Sequence, residues 1–268
     1  MILKKLHWTL RRHPFLYMTR FRLLSKNSSA TAIEAISYNV LNKKEDMPRN
    51  FYKVNELIFE QTKPDTDLEL VKQMVSWLYE HTRVGPGLSE PSDKALEVMV
   101  YGKGGVCSDM AQIFNNFCVI NDIQVREWGT TSAPFNRENG GHSFNEVYIK
   151  ELQKWVLIDA TLGLLFYDEQ EMPLSVLELY QLSRRGETVR YRSFIEDRVI
   201  EEGQVIKNYL NTDVTPFLIC DYRNKVYDTY LRWARPRVPV FLIHFAVYVI
   251  GKSYHYKFPF DDYKKIFS

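Results

Sequence analysis

Three side chains in this sequence could together form a cysteine nucleophile with its proton partner and an orienting acid. Cys107 follows a Gly-rich turn at residues 102–105 and precedes an apolar helical pattern that ends at Asn121. The pattern therefore places Cys107 in the first turn of a predicted helix. The positive end of a helix dipole favours the thiolate, the nucleophilic form of cysteine, and such surroundings lower a thiol pKa to roughly 3.5–7.5.

His142 and Asp159 are the candidate partners of this thiol. An imidazole could hold an ion pair with the thiolate and later protonate a leaving group, while a carboxylate would fix the orientation of the ring. In the strand-like run 142–149, His142, Phe144 and Glu146 share one face, because side chains alternate along a strand. Asp159 lies in the next strand-like run, after a short turn. Two antiparallel neighbours would bring His142 and Asp159 side by side.

Supporting groups are predicted around these three. Backbone N–H groups from Val106 to Ser108 are the expected oxyanion donors, and Tyr101 is the candidate for a second donor. Glu146 is expected to pair with a neighbour such as Arg126 rather than to act directly.

Metal binding and simple burial are the alternative roles for the cysteines. Cys, His and Asp are also zinc ligands, but the sequence has no Cys-x-x-Cys or His-x-x-x-His pair, so we predict no metal and no cofactor. Cys118 and Cys220 are interpreted as small buried hydrophobes.

The elements that must position these residues indicate an α+β fold. Thr66 to Glu69 fits a capping box at the start of a helix that Gly85 ends. The other predicted elements are the cysteine helix, strands at 123–130, 142–149 and 155–161, and a helix at 174–183. The apolar stretch 238–250 is too short to span a bilayer and is predicted to be a buried core element.

Composition excludes several classes of protein. The chain has 268 residues, of which 45% are hydrophobic and 25% are charged, which is typical of a globular protein rather than a disordered or fibrous one. Three cysteines cannot form a disulfide framework, so a reducing compartment is expected. No apolar run is long enough for a spanning helix or a signal peptide. We therefore predict a cytoplasmic location.

The charge is distributed unevenly along the chain. The net charge is +2, but residues 1–33 carry +7, residues 232–268 carry +5, and the middle carries −10. Both ends are also rich in aromatic residues. Basic, aromatic ends predict peripheral contact with the inner membrane or with an anionic glycan, and solvated tails are the alternative interpretation. No nucleic-acid motif is present, so no nucleic-acid partner is predicted.

Three blocks of the sequence resemble the transglutaminase-like superfamily of papain-like cysteine enzymes, of the bacterial type. GVCSDMA at 105–111 is similar to the family's Gly-x-Cys segment. GHSFNEV at 141–147 is similar to its Gly-His-x-Trp-x-Glu-Val segment, with Phe144 in the usual Trp position. WVLIDAT at 155–161 is similar to its Trp-x-x-x-Asp-x-Thr block. The strand after the cysteine helix also matches, at Ile123, Arg126 and Gly129.

The resemblance implies a fold and a set of roles. The expected core is papain-like, with the Cys-bearing helix packed on an antiparallel sheet. The resemblance also makes Cys107 the nucleophile, His142 the general base and acid, and Asp159 the orienting carboxylate. Phe144 changes one wall of the site, and no acidic loop suits calcium. We expect a basic N-terminal extension at 1–60, the catalytic core at 61–172, and a mixed, aromatic-rich C-terminal extension at 173–268 that packs on the core.

The predicted function is cysteine-dependent acyl transfer or amide hydrolysis through a thioester acyl-enzyme. The acceptor would be an amine or water, and the triad alone does not choose between them. The basic, aromatic ends suggest a substrate linked to the cell envelope or to a surface polysaccharide. A cysteine peptidase, a non-catalytic module of the same fold that binds a peptide or glycan, and a membrane-surface scaffold are the alternatives.

Overall fold

The computed structural model of the chain describes residues 14–136, 140–235 and 237–266. The α-helices are α1 (Pro14–Leu24), α2 (Ala30–Glu34), α3 (Tyr38–Leu41), α4 (Arg49–Ile58), α5 (Asp67–His81), α6 (Ser92–Tyr101), α7 (Cys107–Ile120), α8 (Val176–Arg185), α9 (Glu202–Val205), α10 (Asn224–Ala234), α11 (Val240–Val249) and α12 (Tyr263–Ile266). The strands are β1 (Ser25–Asn27), β2 (Val125–Ser132), β3 (Gly140–Ile149), β4 (Lys154–Ile158), β5 (Leu164–Tyr167), β6 (Arg190–Ser193), β7 (Val214–Cys220) and β8 (His255–Phe258). Short 3-10 turns lie at Lys44–Asp46 and Lys150–Leu152, and a π-helical turn lies at Ile206–Leu210.

A mixed sheet forms the centre of the molecule. Within the described residues it has six strands in the order β1-β8-β7-β2-β3-β4. Neighbouring strands are antiparallel except β1 and β8, which pair in parallel. Strands β5 and β6 form a separate two-stranded sheet. Helices packed on this sheet make the fold α+β, as the sequence predicts.

Helix α7 is fixed across strand β3 by buried side chains. Phe114 and Phe117 are fully buried in the main core, and the ring of Phe117 packs against that of Phe51 on α4. From β3, the Asn145 side-chain amide donates to the carbonyl of Ala111 (3.1 Å) and to Oδ1 of Asn115 (2.8 Å). Buried polar groups need such partners, so these bonds set where the helix can lie on the strand. The start of the helix is thereby held relative to the start of β3.

The start of helix α5 follows the predicted capping box only in part. Thr66 Oγ1 accepts a hydrogen bond from the backbone N–H of Glu69 at 3.4 Å, as a helix N-cap should. The other free N–H groups of this helix, at Asp67 and Leu68, donate to the carboxylate of Glu151 instead. A residue distant in sequence therefore completes this cap, and the local pattern could not reveal it.

The sheet extends well beyond the residues of the three sequence motifs. Strand β7 pairs with β2, with Trp128 opposite Leu218, and β8 pairs with β7. Strand β1 then adds to β8 at the edge, with Ser25 opposite Tyr256. The division into segments at residues 60 and 172 stays a prediction, and hydrogen-bonded strands lie on both sides of each boundary.

The apolar stretch near the C-terminal end is only half buried, so its prediction as a buried core element was wrong. It forms helix α11, which buries Ile243 and Val247, whereas Phe245 is 58% exposed and Val249 is 65% exposed. When a helix packs through one face only, the opposite face stays exposed to solvent even if its residues are apolar. Among the described residues, no helix is long and apolar enough to cross a membrane.

We predict that Gly129→Ala destabilises the contact between β2 and β7. A Cβ at position 129 would lie 2.5 Å from the ring of Phe217, which is itself packed against Phe21, Tyr256 and Phe258. Overpacking of this kind costs about 1–3 kcal/mol of unfolding free energy, measurable by urea titration. The control is Gly203→Ala, where a Cβ meets nothing within 4 Å. Equal stability of the two variants would contradict the prediction.

Candidate active site

Cys107 is the first residue of helix α7, with Val106 as the N-cap. The carboxylate of Asp109 accepts hydrogen bonds from the backbone N–H groups of Val106 (3.0 Å) and Leu88 (3.2 Å). In the described part of the chain, no acceptor contacts the N–H groups of Cys107 and Ser108. These two groups therefore remain available to an oxyanion, whereas the predicted use of the Val106 N–H is excluded by its bond to Asp109.

His142 lies near the start of strand β3 and is held by Asp159. Its Nε2 lies 2.7 Å from Oδ2 of Asp159, which follows the last residue of β4. Gly141 precedes it with φ of +88°, a conformation that glycine adopts readily. Because Nε2 is engaged, Nδ1 is the ring atom left for another partner. The imidazole of His142 and the backbone N–H of Ser143 both lie close enough to the thiol of Cys107 to lower its pKa.

Asp159 is a fully buried carboxylate with four hydrogen bonds. Oδ2 accepts from His142 and from the hydroxyl of Tyr209, both at 2.7 Å. Oδ1 accepts from the backbone N–H groups of Thr161 (2.8 Å) and Leu162 (3.0 Å). Burial raises the pKa of Asp159, but the charge and hydrogen bond of His142, together with these other donors, outweigh burial and hold the pKa below its usual value. Asp159 is therefore ionised at neutral pH.

The electrostatics of the three residues favour charge separation between sulfur and ring. Burial raises the pKa of Cys107, but the hydrogen bond and positive charge of His142 and the Ser143 N–H lower it by more, so its pKa lies below the usual value. Burial lowers the pKa of His142, but Asp159 and Cys107 raise it to about 10. A lowered thiol pKa beside a raised imidazole pKa favours a thiolate–imidazolium pair.

A cavity of about 790 Å³ opens in front of this pair. It lies between the N-terminus of α7, strands β2 and β7, and the C-terminal helices α10 and α11. Its walls include Cys107 and His142 as well as a group of aromatic and polar residues from the C-terminal part of the chain, namely Phe217, Tyr222, Asn224, Tyr227, His244, Tyr254 and Tyr256. The C-terminal segment therefore builds much of the space in which a substrate would lie.

The predicted supporting residues lie behind the site or outside it. Phe144 is buried, with its ring stacked at 6.2 Å from that of His142. Glu146 is fully buried and pairs with Arg126 at 3.1 Å, as the sequence suggests, and also accepts from the indole of Trp128 at 3.0 Å. Tyr101 is 74% exposed and does not line the cavity, so the structure does not bring it to the thiol.

Two residues that hold the site were missed from the sequence. Tyr209 lies in the π-helical turn at 206–210, fifty residues beyond its partner Asp159, and no motif surrounds it. Asp109 carried a readable signal, because an acid three residues after an N-cap is the usual position for a carboxylate that caps the chain. Tyr209 could be found only from coordinates, whereas the sequence around the N-cap already indicated the role of Asp109.

Comparison with known protein families agrees with the motifs. Residues 55–160 match the model of the transglutaminase-like superfamily, and the segment holds Cys107, His142 and Asp159. The matched segment covers less than half of the chain and is similar to that superfamily, whose members are generally cysteine-dependent enzymes. No curated protein matched the chain.

A solved structure with partial similarity comes from Cytophaga hutchinsonii and is described as a "Putative Cysteine Protease". The two chains share 21% sequence identity with a TM-score of 0.33. The alignment covers 42% of this chain and 37% of that one, so the chain spans little more than a third of its length. A likeness of this extent carries no statement about activity.

We predict that Tyr209→Phe weakens the support of Asp159. Removing one donor to a buried carboxylate should cost about 1–3 kcal/mol and raise the pKa of Asp159. A carboxylate with a depressed pKa stabilises the fold above its unfolded pKa and loses this effect as pH falls. The variant should therefore unfold in acid at a higher pH than the unchanged protein, as followed by circular dichroism. Tyr180→Phe, whose hydroxyl donates to Asp261 in a more exposed position, is the control.

Glu146→Ala should destabilise the whole fold by about 3–5 kcal/mol, because it leaves the guanidinium of Arg126 buried without its ion pair. Both side chains are at most 1% exposed. Glu97→Ala removes an exposed ion pair with Lys94 and should change the unfolding free energy by less than about 1 kcal/mol. Urea unfolding of both variants checks this, and a similar small change in both would contradict it.

Proposed function

We propose that this protein is a cysteine-dependent enzyme that attacks the carbonyl carbon of an amide or ester and forms a thioester with Cys107. The observation that carries the proposal is the arrangement of His142, which bonds Asp159 through Nε2 and faces the thiol of a helix N-terminus. A purely structural cysteine would need neither the lowered pKa nor the adjoining cavity.

The first half of the reaction uses the thiolate and the imidazolium. The sulfur of Cys107 adds to the carbonyl carbon, and the negative charge moves to the carbonyl oxygen, which the N–H groups of Cys107 and Ser108 stabilise. The carbon–nitrogen or carbon–oxygen bond then breaks. His142 gives its proton to the leaving amine or alcohol, and an acyl group remains on sulfur.

The second half of the reaction releases the acyl group to an acceptor. An amine or water attacks the thioester carbonyl while His142 takes the proton of the acceptor, and the thiolate leaves. Asp159 keeps the ring oriented in both halves and stabilises its charged form. With water as the acceptor the protein would act as a cysteine peptidase or amidase, and with an amine it would act as an acyltransferase.

Other parts of the expected function stay predictions from the sequence. These are a substrate linked to the cell envelope or a polysaccharide, contact of the basic ends with the inner membrane or an anionic glycan, and a cytoplasmic location. Residues 1–13, which carry four of the basic side chains of the N-terminal end, lie outside the described residues.

The proposal predicts selective reactivity of one cysteine. Iodoacetamide should alkylate Cys107 at pH 6.5 much faster than Cys118 and Cys220, which are buried and have raised pKa values. His142→Ala should slow Cys107 alkylation at this pH by at least about tenfold, because only the Ser143 N–H then opposes the effect of burial, which raises the thiol pKa. Peptide mass spectrometry after timed quenching gives the rate for each cysteine.

His81→Ala is the matched control, since His81 stacks on Trp77 in α5 and does not line the cavity. Its effect on Cys107 alkylation should be negligible. As pH rises, the alkylation rate of Cys107 in the unchanged protein should reach its maximum at a pH below the ordinary thiol pKa. Equal and slow alkylation of all three cysteines, with no effect of His142→Ala, would favour the non-catalytic binding module instead.

A further inference from the structure

Glu127 is a buried carboxylate in the wall of the cavity, and no cationic side chain among the described residues pairs with it. It lies on β2 with 6% of its surface exposed, and it lines the same cavity as Cys107 and His142. Its Oε2 accepts from the side-chain amide of Asn115 (3.0 Å) and from the hydroxyl of Tyr222 (3.1 Å). In the described part of the chain, no group donates to its Oε1 and no Lys, Arg or His forms an ion pair with it.

The other charges of the cavity do not neutralise this carboxylate. Glu90 forms an ion pair with Arg235, and His142 is engaged with Asp159. The charge of Arg20 acts on Tyr227, whereas the charged group that acts on Glu127 is another acid, Asp109. Burial and Asp109 raise the pKa of Glu127 to about 7, although its two hydrogen bonds lower it. A buried acid of this kind gains stability when a cation reaches it.

Aromatic rings form a connected group in the cavity that Glu127 lines. The ring of Tyr222 lies 5.8 Å from that of Tyr227, which lies 5.6 Å from that of Tyr254. Tyr254 in turn lies 5.3 Å from Tyr256. All four rings line the cavity. Tyrosine rings attract ammonium groups through the negative face of the π-system, and a carboxylate adds direct charge attraction and a hydrogen-bond acceptor.

We propose that Glu127 and the four tyrosine rings form a binding subsite for an ammonium group of the substrate. The subsite rests on the proposed function, because it describes what the cavity in front of Cys107 accepts. Substrates with a primary amine would enter with this group toward Glu127 and their reacting group toward the sulfur. The bonds to Asn115 and Tyr222 position the carboxylate, and Oε1 is the atom that receives the amine.

The experiment compares thiol reagents that differ in charge. Aminoethyl methanethiosulfonate is cationic and methyl methanethiosulfonate is neutral, and both form a mixed disulfide with Cys107 by displacing methanesulfinate. The rate of Cys107 modification in the full chain at pH 8, divided by the same rate for free cysteine, gives a corrected rate for each reagent. The corrected rate of the cationic reagent should exceed that of the neutral one by about tenfold, the effect of one charge-assisted hydrogen bond.

Glu127→Gln should abolish this preference, because the amide keeps the shape but loses the charge, and the neutral reagent's rate in the same variant serves as the reference. Glu97→Gln changes the net charge equally on an exposed helix surface and should keep the preference. If the Glu127 variant fails to fold, the subsite is tested instead by protecting Cys107 of the unchanged protein against a thiol reagent. Propylammonium should slow Cys107 modification by iodoacetamide, and propanol at the same concentration should not.

The outcomes distinguish a failure of the ammonium subsite from a failure of the proposed enzymatic function. A reactive Cys107 with equal corrected rates for the two reagents, or a preference that survives Glu127→Gln, would leave the cysteine chemistry intact and overturn the ammonium subsite. Equal protection by propylammonium and propanol would overturn it as well. A Cys107 that reacts no faster than Cys118 and Cys220 with the neutral reagent would overturn the cysteine enzyme itself.

Discussion

Asp159 is completely buried, and a carboxylate in such a place keeps its charge only when hydrogen bonds and an opposite charge replace the lost water. Two backbone N–H groups, the Tyr209 hydroxyl and the ring of His142 supply that replacement. The bond to Nε2 then determines which ring nitrogen can face the sulfur. The raised pKa of His142 and the lowered pKa of Cys107 follow from this one arrangement. A neutral residue at position 159 would remove the larger of the two influences that raise the pKa of the imidazole.

The scaffold brings these groups together through polar contacts inside the core. Asn145 ties β3 to helix α7, and Asn115 on that helix reaches Glu127 on β2. Arg126, Glu146 and Trp128 connect β2 to β3 on the other face. Each contact is buried and directional, so the helix that carries the thiol and the strand that carries the ring have little freedom to shift. This rigidity suits a reaction that depends on short distances.

The sequence was sufficient for the local features of this site. The helix that begins at Cys107, the strand that carries His142 and the strand that ends just before Asp159 were predicted from periodicity and turn residues, and motifs predicted the match to the superfamily model. Tyr209 and Tyr222 could not be predicted, because nothing in the residues around them indicates that they meet Asp159 and Glu127. Tyr101 was expected near the thiol because it is close in sequence, but it ends helix α6 and faces outward. The half-exposed helix α11 is a second example, since an apolar sequence does not tell how much of a helix other elements bury.

Strand β2 lies between β3 and β7, and all eight of its residues are buried. The superfamily match ends before β7 begins, so a fragment cut to residues 55–160 would lack the strand that covers one edge of β2. Unpaired backbone groups along the edge of a strand invite pairing with another copy of the same chain. An isolated superfamily segment of this protein would therefore be prone to edge-to-edge association, and the C-terminal strands serve as its built-in protection against aggregation.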